Sequence, residues 1–146
     1  MIKFKRFTVA LICILSVLRV NAQSCVGKWI TIDDDTGKKK SIVELYKKDE
    51  KLYGKITFLY PREGREANPK CKKCPDDRKD QPLLGLQIIR GMKWDGGEWD
   101  TGTILDPENG KIYDVKIWLD PENSNRLNVR GYIGPIFRTQ RWIRTD

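Results

Sequence analysis

The chain contains no histidine, so the side chain that most often serves as a general base near neutral pH and as a zinc ligand is missing. Hydrolytic triads are thereby excluded, and the remaining chemistry must come from cysteines, acids, arginines and tyrosines. Cys71-x-x-Cys74 has the spacing of a redox pair. Such pairs work from a helix N-terminus that lowers a thiol pKa, whereas these two sit among Lys72, Lys73, Pro75 and Asp76 in a segment without helical period. A structural Cys71–Cys74 disulfide is therefore expected. Zinc would need Cys25 and a carboxylate as further ligands, so no metal site is expected, and no cofactor either. Asp33, Asp34, Asp35 and Asp106 have the chemistry of calcium ligands, but the chain holds no Asp-x-Asp-x-Asp-Gly loop. These acids read instead as turn residues that accept backbone N–H bonds.

The most suggestive constellation lies near the C-terminus. In 126–133, Leu127, Val129, Gly131 and Ile133 share one face and Asn128, Arg130 and Tyr132 the other. In 136–144, Ile136, Arg138, Gln140, Trp142 and Arg144 alternate against Phe137, Thr139, Arg141 and Ile143. If Arg130 and Tyr132 point inward beside Arg138 or Gln140, they form a charged and phenolic cluster suited to an anionic head group, because a guanidinium offers a bidentate fork to a carboxylate. Arg130, Tyr132, Arg138 and Gln140, with Tyr113 from the preceding strand, are thus the candidate ligand-binding residues. The alternative is that Arg130 and Tyr132 face water or pair across strands with acids such as Asp114 and Glu44.

The elements that position these residues are strands. From 101 to 144, two near-copies of one turn, Asp106-Pro-Glu-Asn-Gly110 and Asp120-Pro-Glu-Asn-Ser124, separate runs in which apolar residues recur at every second position. Pro presets a turn φ, and Asn-Gly tolerates the left-handed backbone that reverses a strand, so this stretch is an antiparallel meander. Upstream, the same alternation predicts strands at 27–32, 41–47, 52–60 and 86–92, and downstream at 98–105, 111–119, 126–133 and 136–144. Residues 61–81 interrupt the pattern with three prolines, two cysteines and many charges, a long loop stapled by its own cystine. Eight antiparallel strands in simple order remove their edges most easily by closing into an up-and-down barrel, which makes the chain all-β. A two-sheet sandwich is the runner-up.

Residues 1–22 have the three parts of a secretory signal: Lys3, Lys5 and Arg6, an apolar run, and small residues ending at Ala22. Cleavage there would leave 23–146 as one domain with no transmembrane segment, exported to the periplasm or medium. It would also remove Lys3, Lys5, Arg6 and Arg19, lowering the formal charge from +8 to +4. Those bases are spread among acids apart from Lys38-Lys39-Lys40, so no nucleic-acid partner is expected. With Cys13 gone, Cys25 is left over from the cystine. It is either a free thiol or, if Ala22-Gln-Ser-Cys25 is a degenerate lipobox, the point of lipid attachment.

The Gly27-x-Trp29 of the first strand and Arg144 of the last resemble the arrangement of the lipocalin and fatty-acid-binding superfamily, in which an indole stoppers one end of the barrel under a guanidinium. A fuller set, including Asp33-Asp34-x-Thr36-Gly37, Tyr53-Gly54-Lys55-Ile56, Cys71-x-x-Cys74, Asp106-Pro107-x-x-Gly110-x-x-Tyr113, Val129-Arg130-Gly131-Tyr132 and Trp142-x-Arg144, resembles an uncharacterised family of small exported bacterial proteins. That resemblance implies a lipocalin-like barrel and export, with structural roles for Gly27, Trp29 and Arg144. It brings no activity. The leading functional reading is a barrel that binds a small amphipathic or anionic ligand. Its alternative is a structural or protein-interaction module of the cell envelope whose barrel is filled by side chains, and an enzyme built on Cys71 is the weakest reading.

Overall fold

The computed structural model describes residues 24–146; the expected signal segment, with its cleavage after Ala22, lies outside the described residues. Eight strands follow in order: β1 (Gly27–Ile32), β2 (Lys39–Lys48), β3 (Lys51–Leu59), β4 (Gln87–Asp95), β5 (Glu98–Asp106), β6 (Lys111–Leu119), β7 (Arg126–Ile133) and β8 (Ile136–Thr145). Every strand pairs antiparallel with its sequence neighbour, and β1 pairs with β8 through Lys28↔Thr145, Trp29↔Arg144 and Ile30↔Ile143. The sheet is a closed eight-stranded up-and-down barrel, not a sandwich.

Short turns explain the simple order. At the Asp106 turn the Asp106 carboxylate accepts the Glu108 N–H at 2.9 Å, and the Asp120 turn repeats the same bond to Glu122 at 2.9 Å. In the β1–β2 turn Asp33 Oδ1 accepts from the N–H groups of Asp35 and Thr36 at 3.0 and 2.9 Å. The Thr36 N–H bond is the main reason the Asp33 carboxyl is held below its ordinary range. These acids act as turn caps, the role that accounts for Asp at such positions. Strand β4 runs three residues further than its sequence pattern suggests, to Asp95, which leaves Gly96-Gly97 as the turn into β5.

Inward positions form a core that is dense at one end. Trp29, Val43, Leu45, Leu52, Ile89, Met92, Ile117 and Leu127 are all fully buried, each stabilising the fold by roughly 1.5 to 3 kcal/mol as it leaves water. The segment between β3 and β4 lies over the other end. It holds a short 3-10 turn, Asp76–Arg78, whose buried Arg78 donates to both Asp76 carboxylate oxygens and to the Gln87 carbonyl. No helix among the described residues is long and apolar enough to cross a membrane.

Candidate functional site

At the end where the chain enters β1, Trp29 fills the barrel and donates its indole N–H to the Cys25 carbonyl at 2.8 Å. The Arg144 guanidinium lies 4.2 Å from the Trp29 ring centroid and reaches the carbonyls of Ser24 at 2.8 Å and Ser124 at 3.3 Å. A cation over an indole face, with its donors spent on carbonyls, is both attracted and satisfied. Gly27, at φ +135°, permits this, since a Cβ there would stand only 3.2 Å from Arg144 Nη1. The structure thus brings Gly27, Trp29 and Arg144 together as one closed end. Cys25 is buried beneath it, and burial, partly offset by Arg144, pushes its thiol up to about 11. A lipid on that sulfur would require this end of the barrel to open.

At the opposite end lies a cavity of about 1200 Å³. Its walls are Ile56, Ile88, Ile104, Leu105 and Val129, and Trp142 lies at its base. The polar pair Thr31 and Ser41 faces it with hydroxyls 2.7 Å apart, so neither is an unpaired cost. No buried side-chain polar atom among the described residues lacks a partner.

Of the five residues expected at a ligand, Tyr113, Arg138 and Gln140 line this cavity. Tyr113 accepts a bond from Asn109 at 3.0 Å, Gln140 donates to Asp34 at 2.7 Å and accepts from the Trp142 indole at 3.2 Å, and Arg138 also contacts Asp34. Arg130 and Tyr132 do not face the interior, which corrects the inward placement entertained from the sequence. Arg130 lies outside, 5.0 Å from the Trp118 ring centroid and 4.5 Å from that of Phe137, with Nε donating to Thr139 at 2.6 Å. Tyr132 packs against Phe137 at 5.8 Å. The reason is parity. The two-residue turn Gly134-Pro135 pairs Gly131 with Arg138 and Val129 with Gln140, so Arg130 and Arg138 must occupy opposite faces of the hairpin. The apolar face of β7 then turns inward.

The mouth contains groups that sequence reasoning passed over. Arg62, from the long loop, bridges two turns, with one nitrogen 3.1 Å from Asp33 and the other 3.1 Å from Glu108. Lys40 at 3.3 Å and Arg65 at 3.6 Å complete a basic shell around Glu108. Burial alone would raise the Glu108 carboxyl, but Lys40 and the two guanidiniums hold it below its ordinary range. Lys70, Lys72 and Lys73 also line the mouth, are exposed, and have no acid within ion-pair distance among the described residues. The buried Cys71–Cys74 disulfide, with Cα atoms 5.4 Å apart, sets the shape of that lysine loop. Gly110 seats it on the β5–β6 turn: its φ is +72°, and any Cβ would overlap the Lys73 carbonyl. The Lys-Lys between the cysteines was the available signal, but nothing local says that the loop folds back over a barrel mouth.

The barrel is similar to a solved structure, protein HP1028 from the human pathogen Helicobacter pylori, described as belonging to the lipocalin family. The likeness has a TM-score of 0.70 over 84% of each chain at 20% identity, and at that identity it concerns the fold. No curated protein matches the chain. The family model described as an uncharacterized protein conserved in bacteria (DUF2147) matches residues 27–144, nearly the whole barrel from the glycine of β1 to the arginine of β8, and the chain belongs to that family.

Proposed function

We propose that the protein is an exported binding barrel that holds a small amphipathic anion, its apolar body in the cavity and its charged head at the mouth. The observation that carries this reading is the apolar cavity of about 1200 Å³ opening between bases. Pockets that take small molecules run to roughly 300 to 1,000 Å³ and combine apolar walls with a few placed polar groups. Lys70, Lys72 and Lys73 supply charge at the rim, while Tyr113 and Gln140 supply hydrogen-bonding groups deeper in. Arg138 is already matched by Asp34, so it serves better to shape the wall than to neutralise a ligand. The filled-barrel alternative fits the Trp29 end, but the space above Trp142 argues against it for the barrel as a whole. Removal of residues 1–22 and release from the cytoplasm belong to the same proposal; the buried disulfide fits an oxidising compartment.

Titration with anilinonaphthalene sulfonate, an amphipathic anion that fluoresces in apolar surroundings, tests the site. Saturable one-to-one binding is expected, with affinity lost in Gly131→Leu. A Cβ at Gly131 would meet Tyr113 only at an ordinary 3.6 Å, so the larger side chain fills the cavity without breaking the wall. Equal binding by the two proteins would remove the cavity as the site.

A further inference from the structure

We propose that the mouth end of the barrel docks on an anionic lipid surface. The tip of the β7–β8 hairpin carries Ile133, Ile136 and Phe137, exposed by 56%, 74% and 55%. Ile133 and Ile136 pair with each other on the inward register, yet remain in solvent because they stand at the rim beyond the packed wall. Lys70, Lys72 and Lys73 belong to the same rim. Of the acids there, Glu108 and Asp33 are engaged by Arg62, Asp34 by Arg138, and Asp106 caps its turn, while Glu66 faces solvent without an ion pair among the described residues; the cavity lining still carries seven bases against three acids. The three lysines thus belong to a rim of net positive charge that also carries the apolar hairpin tip.

A small apolar tip suits shallow insertion among acyl chains, with lysines drawn to the headgroups, better than it suits a protein partner, which needs a contact of about 800 Å² on each side. Each base held near an anionic surface contributes roughly fivefold in affinity, the equivalent of about 1 kcal/mol. The proposal does not depend on the cavity being occupied.

The test is co-sedimentation of protein from bacteria expressing the full chain with vesicles of phosphatidylcholine, with and without phosphatidylglycerol. Three proteins are compared: the parent, Ile136→Asp, and the triple variant Lys70→Gln, Lys72→Gln, Lys73→Gln. Residues 1–23 are common to all, so differences among them report the rim, and unchanged melting confirms that each is folded. The parent is expected to favour the anionic vesicles at least tenfold, with binding that weakens as salt is added. Ile136→Asp is expected to lose at least tenfold on them, and the triple variant to lose most of the preference for anionic lipid. Parent-like binding by either variant, or equal binding to both vesicle types, would overturn the proposal. A dimer in native mass spectrometry that Ile136→Asp dissolves would overturn it in favour of a second copy of this chain.

Discussion

Both ends of this barrel use arginines, to opposite effect. At one end Arg144 covers Trp29 and gives its hydrogen bonds to backbone carbonyls, so that the interior is packed shut. At the other, Arg62 and Arg65 are held by Glu108 at the rim, and the space below them stays open down to Trp142. The difference comes from what the strands place inward. Near β1 the inward positions are Trp29, Val43, Leu45 and Leu127, large enough to meet across the barrel. Toward the mouth they include Thr31, Ser41 and Gly131, too small to span the interior. Packing is concentrated at the first end and open volume at the second.

The largest expected effect follows directly. Trp29→Ala leaves a void in a close-packed region and should cost about 3 to 5 kcal/mol, whereas Leu83→Ala, at a half-buried residue that lines the cavity, should cost about 1 kcal/mol. Denaturant midpoints measure both, and similar losses would erase the proposed division. Next, Gly110→Ala should cost about 1 to 3 kcal/mol, because the alanine must adopt a positive φ and displace the Lys73 carbonyl. A neutral outcome would mean that the cystine loop is not seated on the β5–β6 turn.

Alkaline pH should act on the closed end. The Cys25 thiol titrates near 9 when unfolded and is pushed up to about 11 in the fold. The native state therefore keeps its proton longer, and the stability this contributes is complete below pH 9 and declines as pH rises through 11. The loss should be on the order of 2 kcal/mol, visible as a steeper alkaline fall in melting temperature for the parent than for Cys25→Ala. Parallel curves would place Cys25 in contact with water. Removing the disulfide by Cys71→Ser with Cys74→Ser should cost at most about 2 kcal/mol, since the ring it closes is short, while weakening the anionic probe more than tenfold. Smallest of all, the triple Lys→Gln variant at 70, 72 and 73 should stay within about 0.5 kcal/mol of the parent in stability and still bind the probe less well.

Alternation and turn residues make the barrel legible in the sequence. The meander from β5 to β8 follows from Asp-Pro-Glu-Asn turns and period-two apolar positions, and the Trp29–Arg144 closure is what the resemblance of Gly27-x-Trp29 and Arg144 to the lipocalin arrangement implies. The orientation of β7 was also within reach, because a two-residue turn at 134–135 fixes which residues share a face; mixed polarity on both faces of β8 hid it. The mouth was not legible. Asp34 meets Arg138, and Glu108 gathers Lys40, Arg62 and Arg65, through contacts between segments distant in sequence. No local pattern encodes such meetings, and Asp33-Asp34-Asp35 read alone is only a turn.

Native mass spectrometry of the protein recovered from bacteria expressing the full chain tests the central claim most directly. The expected spectrum shows the chain carrying one small anionic, amphipathic molecule that denaturation releases, and the bare chain alone for Gly131→Leu. A bare parent chain that also fails to take up an added amphipathic anion would contradict the division between a shut end and a binding end.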